Sequence, residues 1–203
     1  MTPMDDDGAA AVADRDRRGQ DARTRILDAA AHLFRRDGFS RTSMDAIAAL
    51  ARMSKRTLYA SFPDKRAILE VVLDQFMDRR FAAIANVSGM SGSNDAMVLR
   101  IVQGLNAAAT DEDALTMYRL LVAEAESLPA LALSANDKGL AQAVDMLREP
   151  LRKSGVADPD TAARLLYDLV VLAPMHRRLV GTDSLHVEVG VIVDIFLRGV
   201  ANA

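Results

Sequence analysis

The stretch Thr42–Lys65, TSMDAIAALARMSKRTLYASFPDK, decides the fold. It holds two short helical patterns joined by a tight break, then a Phe62-Pro63 exit into a longer helix. The first pattern runs over about Met44–Leu50, with Thr42 or Ser43 as its N-cap, since a hydroxyl there accepts an otherwise unpaired helical N–H. Its apolar side is Met44, Ile47 and Ala48. After Arg52 and Met53, Ser54 caps a second helix from Lys55 to about Ser61. Leu58 and Phe62 anchor that helix inward, which leaves Lys55, Arg56, Thr57 and Tyr59 facing outward near its start.

Two helices in this order fit a helix-turn-helix, whose second helix enters the major groove of DNA with its N-terminal end. Lys55 and Arg56 have the reach and donors for guanine O6/N7 or phosphate. Thr57 can donate to phosphate, and Tyr59 offers a ring to a thymine methyl and a hydroxyl to phosphate. Thr42 and Ser43 before the first helix, and Lys65 at the start of the next long one, are further contact candidates. Each has a plainer reading: a cap for Thr42, Ser43 or Ser54, a packed ring for Tyr59, solvated charges for the cations. The ordered set within one three-helix unit favours the DNA reading over the separate plain ones.

Upstream, Ile26, Ala30, Leu33 and Phe34 recur at helical spacing and define a helix from about Asp21 to Asp37. Gly38 stands where a left-handed C-terminal cap belongs, and Phe39 turns back into the core. Residues 1–18, rich in Asp and Ala with Pro3 and Gly8, read as a disordered tail. The organisation expected is therefore tail 1–18, DNA-binding domain 19–66 and a second helical domain 67–203. Downstream, a fourth helix over about Asp64–Ile84 carries Pro63 at its first turn and a stripe of Ile68, Leu69, Val72, Leu73 and Phe76. A Gly- and Ser-rich loop, Asn86–Asn94, precedes five helices at about 95–109, 112–127, 129–154, 159–180 and 184–200. Pro150 and Pro174 fall late in theirs and should kink or fray them. About nine helices and no strand pattern make an all-α protein.

Composition agrees. Half the chain is hydrophobic but only 4% is aromatic, so the core is built of Ala, Leu, Val, Ile and Met, which suits packed helices. With no Cys, disulfides and thiolate chemistry are excluded. No apolar run reaches the roughly 18 residues of a membrane span. Asp5, Asp6 and Asp7 stand where a secretory signal needs positive charge, so a cytoplasmic location is expected, with no membrane partner. The net charge of −3 conceals an uneven distribution. Arg15–Lys65 carries 12 Lys and Arg against 6 Asp, whereas the residues after Lys65 carry 13 against 18. A basic block on an acidic body suits a polyanion, although a solvated basic face gives the same count.

Enzyme chemistry finds no support. His32, His176 and His186 lie far apart in sequence, and there is no HExxH, nucleophile elbow or Gly-rich phosphate loop. No metal and no cofactor are expected. The remaining rivals are a binding module with a vestigial helix-turn-helix and a small helical enzyme.

Residues 22–70 resemble the DNA-binding domain of the TetR/AcrR family of transcriptional regulators. The likeness runs through Arg25-Ile26-Leu27-Asp28-Ala29-Ala30, Leu33-Phe34, Asp37-Gly38-Phe39, Thr42-Ser43-Met44 and Ile47-Ala48. It continues through Ser54-Lys55-Arg56-Thr57-Leu58-Tyr59 and Phe62-Pro63-Asp64-Lys65. The resemblance implies a ligand-responsive homodimer, usually a repressor, on a palindromic double-stranded operator gripped through Ser54–Ser61. It places DNA contacts on Thr42, Lys55, Thr57, Tyr59 and Lys65. Two positions depart from the family: Arg52 stands where its turn usually has Gly, and Arg56 where Gly or Pro is common.

The same resemblance gives the second domain two roles. The last two helices carry broad apolar faces and resemble the family's four-helix dimer interface, here Leu165, Leu169, Leu172, Val189, Ile192, Val193 and Phe196. The middle helices should enclose a pocket for an apolar small-molecule effector. Its candidate lining is Met97, Leu105, Met117, Tyr118, Leu121, Met146, Tyr167, Met175 and His176, each of which is also readable as ordinary core. The segment YRLLVAEAESLPALAL, Tyr118–Leu133, is similar to the AefR-like C-terminal subgroup.

Overall fold

The structure, a computed structural model, describes residues 6–88, 92–182 and 188–200, and every regular element among them is helical. These are α1 (Asp6–Asp37), α2 (Met44–Ala51), α3 (Lys55–Ser61), α4 (Lys65–Ser88), α5 (Asn94–Thr110), α6 (Glu112–Glu124) and α7 (Pro129–Lys153). Then come α8 (Pro159–Tyr167), a π-turn (Asp168–Leu172), α9 (Ala173–Val180) and α10 (Val189–Val200). With α8, the π-turn and α9 continuous, the described residues form nine helical segments. The chain divides into two compact units, one up to Leu73 and one from Asp74 onward.

In the first unit, α1 begins at Asp6 rather than near Asp21, so the expected tail is helical from there on. The cause is local: Ala9, Ala10, Ala11 and Ala13 are strong helix formers, and nothing between them and Arg23 stops a helix. Residues 1–5 lie outside the described residues. Gly38 ends α1 at φ +85°, its N–H donating to Phe34 O at 3.0 Å. Ser43, not Thr42, caps α2, its Oγ accepting from Ala46 N at 3.1 Å. Ser54 caps α3 by accepting from Thr57 N at 3.1 Å. Asp64 caps α4 by accepting from Ala67 N at 2.8 Å, so Pro63 lies just outside the cap instead of inside the first turn. Ile26, Phe34, Ile47, Leu58, Ile68 and Leu69 are the largest fully buried side chains among this unit's described residues.

In the second unit, α5 lies at the centre and packs against α6, α7, α8, the π-turn, α9 and α10. Its Val98, Ile101, Val102 and Leu105 join Leu147, Leu151, Leu166 and Val170 in one core. The expected single helix 159–180 is interrupted by the π-turn because Pro174 has no N–H for Val170 O four residues earlier. Asn106 Nδ2 of α5 supplies that donor at 2.8 Å. Pro150 neither breaks nor shortens α7, which runs on to Lys153 and closes at Gly155 with φ +86°. At the other side, Arg80 of α4 lies 4.3 Å over the Phe76 ring and donates to Ala108 O. Its fork also grips both oxygens of Asp111, at 2.6 and 2.7 Å. The Arg80 hydrogen bonds hold the Asp111 carboxyl below its ordinary pKa, and Asp111 also caps α6 at Ala114 N, at 2.8 Å. The start of the last expected helix, read from Ser184, lies outside the described residues.

Candidate nucleic-acid interface

The turn between α2 and α3 keeps the left-handed geometry that usually selects Gly. Arg52 adopts φ 56°, ψ 43°, and it is the one non-Gly residue with positive φ among the described residues. Two backbone bonds hold it there: Arg52 N to Ala49 O at 3.1 Å and Met53 N to Ala48 O at 2.9 Å. The substitution therefore leaves the turn intact and stores strain in it. Past the turn, Leu58 and Phe62 are buried, and Arg23 of α1 locks the end of α3. Its guanidinium lies 4.3 Å over the Phe62 ring and donates to Ser61 O at 3.4 Å. Nothing in the local pattern around Arg23 signals that role.

The structure sorts the expected contact residues. Lys55, Arg56 and Tyr59 are exposed on α3, Tyr59 by 52%, which removes the packed-ring reading of that tyrosine. Ser43 is exposed at the start of α2. Thr57 is half-buried, with its Oγ1 2.8 Å from Ser54 Oγ. Thr42 must be corrected: it is only 3% exposed, and its hydroxyl donates inward to Gly38 O at 2.8 Å. In this arrangement the side chain braces the α1–α2 corner and faces inward. Lys65 has an internal task as well. Its Nζ donates to Phe39 O at 2.6 Å and Thr42 O at 2.8 Å and sits 4.2 Å from the Phe39 ring centre. The ammonium thus ties the start of α4 to the corner before α2. Sequence reasoning also missed Asp45, whose Oδ2 accepts from Lys55 Nζ at 2.7 Å and raises the lysine pKa.

The second-unit candidates divide too. Leu105, Met117 and Tyr167 are buried, while Met97, Met146 and Met175 are half-buried against the core. Tyr118 and Leu121 are half-buried. His176 is exposed on α9, after the π-turn. Of the proposed dimer residues, Leu165 and Leu169 are exposed, by 50% and 45%, and Leu172 is partly covered by the core. Val193 is buried within the chain, and Val189, Ile192 and Phe196 pack against the core. The side of α10 left outward carries Val191 and Ile195 instead, the latter 66% exposed, beside the Asp194–Arg198 ion pair. Asp194 and Arg198 mark the outward side, so spacing gives the apolar face of α10 but not whether the chain's own core or a second copy covers it.

Comparison with known proteins agrees with this architecture. The model for bacterial regulatory proteins of the tetR family matches residues 26–72. That for the C-terminal domain of AefR-like transcriptional repressors matches residues 96–198. The HTH-type transcriptional regulator UidR of Escherichia coli (strain K12) is 31% identical over 156 residues, which cover 74% of this chain and 78% of that protein. Among solved structures, a TetR-family transcriptional regulator from Mesorhizobium loti superposes with a TM-score of 0.71 at 25% identity, over 91% of this chain and 97% of that one. Salmonella enterica GusR gives 0.64 at 25% identity, over 90% and 96%. The chain belongs to the TetR family: it is a transcriptional regulator with a DNA-binding helix-turn-helix, not an enzyme. No helix among the described residues is long and apolar enough to cross a membrane.

Proposed function

We propose that the protein is a cytoplasmic, homodimeric, ligand-responsive repressor of a palindromic operator, with α3 as its recognition helix. The observation that carries this reading is the outer face of α3. It presents Lys55, Arg56 and Tyr59 to solvent from a seven-residue helix that is capped at Ser54 and anchored by Leu58 and Phe62. Ser43 and Thr57 stand beside it as phosphate contacts, and Lys65 acts by fixing the corner that orients α2. The DNA-binding boundary proposed is 19–66, with effector binding and dimerisation in 67–203.

Dimerisation is supported by apolar surface that the subunit does not use itself. Leu165 and Leu169 stand one turn apart on α8 and the π-turn, and Val191 and Ile195 one turn apart on α10. Effector binding is supported by polar groups that the core leaves without a protein partner. Gln142 Nε2 is turned to Asp78 Oδ1 at 3.4 Å, and its buried Oε1 meets no donor among the described residues. On the same side of α7, a Cβ at Gly139 would lie 2.7 Å from Tyr167 Oη and 2.9 Å from Met77 Cε. Tyr167 is buried there, and burial, with the charge of Asp168, pushes its phenol up to about 12. An apolar effector with one hydroxyl or amide N–H would satisfy Gln142 Oε1.

Footprinting on the DNA flanking its own gene, at two salt concentrations, tests the core of the reading. A protected inverted repeat and steep weakening with salt are expected, because phosphate contacts release counterions. Protection with no sequence preference would leave only a non-specific binder. Light scattering then reports the dimer: Ile195→Glu with Leu169→Glu should halve the mass, and an unchanged mass would place the interface elsewhere.

A further inference from the structure

The expected DNA-facing residues differ in what their donors already hold. Thr42 Oγ1 is on Gly38 O, Lys65 Nζ is on the Phe39 and Thr42 carbonyls, and Thr57 Oγ1 is within hydrogen-bond reach of Ser54 Oγ. Ser43 Oγ caps α2, and Lys55 Nζ is paired with Asp45 at 2.7 Å. Arg56 and Tyr59 are left: both are exposed, and neither has a hydrogen bond or ion pair to the described residues.

Direction separates these two. Successive α-helical residues turn by about 100°. Arg56 is therefore about 160° round α3 from the buried Leu58 and lies on the outer face. Tyr59 is on the outer face too, about 100° from Leu58 and so nearer the buried anchor. Lys55 lies about 60° from it, on the side where Asp45 of α2 receives its ammonium. Arg56 is also the second residue of α3, in the part of a recognition helix that meets base edges. Its guanidinium is a planar fork of permanent charge, and guanine presents two acceptors side by side, O6 and N7, in the major groove. Lys55 stays charged, and its exposed pair with Asp45 is screened by solvent, so its compact ammonium suits a phosphate at the groove edge.

We propose that Arg56 reads one guanine in each operator half-site, while Lys55, held by Asp45, supplies sequence-independent attraction. This deepens the DNA-binding reading above and rests on it.

Selection from a random DNA pool, followed by binding measurements on the enriched site, tests the assignment. The wild type should enrich an inverted repeat with one G·C pair per half whose replacement weakens binding about 5- to 150-fold. Arg56→Gln should move the preference at that pair from guanine to adenine, the base whose N6 and N7 suit an amide. A misfolded protein cannot produce that switch. Arg56→Ala should lose the preference there and keep it elsewhere. Lys55→Ala should weaken all sequences alike and keep the guanine. A guanine preference that survives Arg56→Ala, or disappears in Lys55→Ala, overturns the proposal while the DNA-binding reading stands. Failure of the wild type to enrich any sequence overturns both.

Discussion

Two helices of this molecule present a bare face to water, and they do so for opposite reasons. The outer side of α3 is Lys55, Arg56 and Tyr59; that of α10 sets the exposed apolar Val191 and Ile195 beside an Asp194–Arg198 ion pair. Charged and hydroxyl-bearing side chains are well solvated, so α3 loses nothing while it waits for a partner. Exposed Val and Ile leave apolar area in contact with water, about 25 cal/mol for each Å2. One surface is therefore stable alone and selective when occupied, and the other gains by being covered. The helices also differ in support. The seven residues of α3 are too few to persist by propensity and depend on one cap and two anchors. The twelve of α10 lay Ile192, Val193 and Phe196 along the α5-centred core.

The contrast can be attacked in order of expected effect. Leu58→Ala removes a fully buried anchor and should lower the stability of the first unit by about 2–5 kcal/mol, read by chemical denaturation. A loss under about 1 kcal/mol would mean that α3 does not depend on its anchors. Asp111→Asn probes the scaffold of the other unit, where the arginine fork and the α6 cap share one carboxylate. A loss of about 1–2 kcal/mol is expected at neutral pH, after allowing for the solvent around Asp111. Because Arg80 depresses the folded-state pKa, the contribution is complete above the ordinary Asp range near about pH 4. It disappears as pH falls through the lower, folded value. The wild type and variant should therefore converge in acid, and a pH-independent gap would refute the charge-assisted account.

Smaller effects follow. Ser54→Ala deletes the α3 cap and should cost about 1 kcal/mol, together with operator affinity. Arg52→Gly should raise thermal stability, by about 0.5–1 kcal/mol, because Gly adopts the left-handed turn without strain. A loss of stability there would show that the arginine side chain compensates for its backbone. Ile195→Glu should alter the folding stability of the isolated subunit by no more than about 0.5 kcal/mol, since the residue faces solvent. If that variant unfolds the subunit, α10 has been read inside out.

Much of the first unit was legible because its signals are local. Gly38, Ser54 and the Leu58–Phe62 spacing each act within one helical turn, and the helix ends stand where those residues put them. Thr42, Lys65 and Asp45 were less legible. Thr42 reads as a surface cap until Gly38 O takes its hydroxyl, and Lys65 as a free cation until carbonyls 26 and 23 residues away take its ammonium. In the second unit, the π-turn depends on Asn106 answering a carbonyl 64 residues distant.

The sequence by itself determined the all-α class, the helix-turn-helix, and which residues on α3 could face DNA. Periodicity, caps and left-handed Gly positions act over four or five residues, so they survive without knowledge of the rest of the chain. Tertiary structure decided which donors remain uncommitted and which apolar helix face the chain's own core covers. Both depend on partners brought together from distant positions, and those partners tie up Lys55 and Lys65, bury Val193, and leave Arg56 and Ile195 outermost.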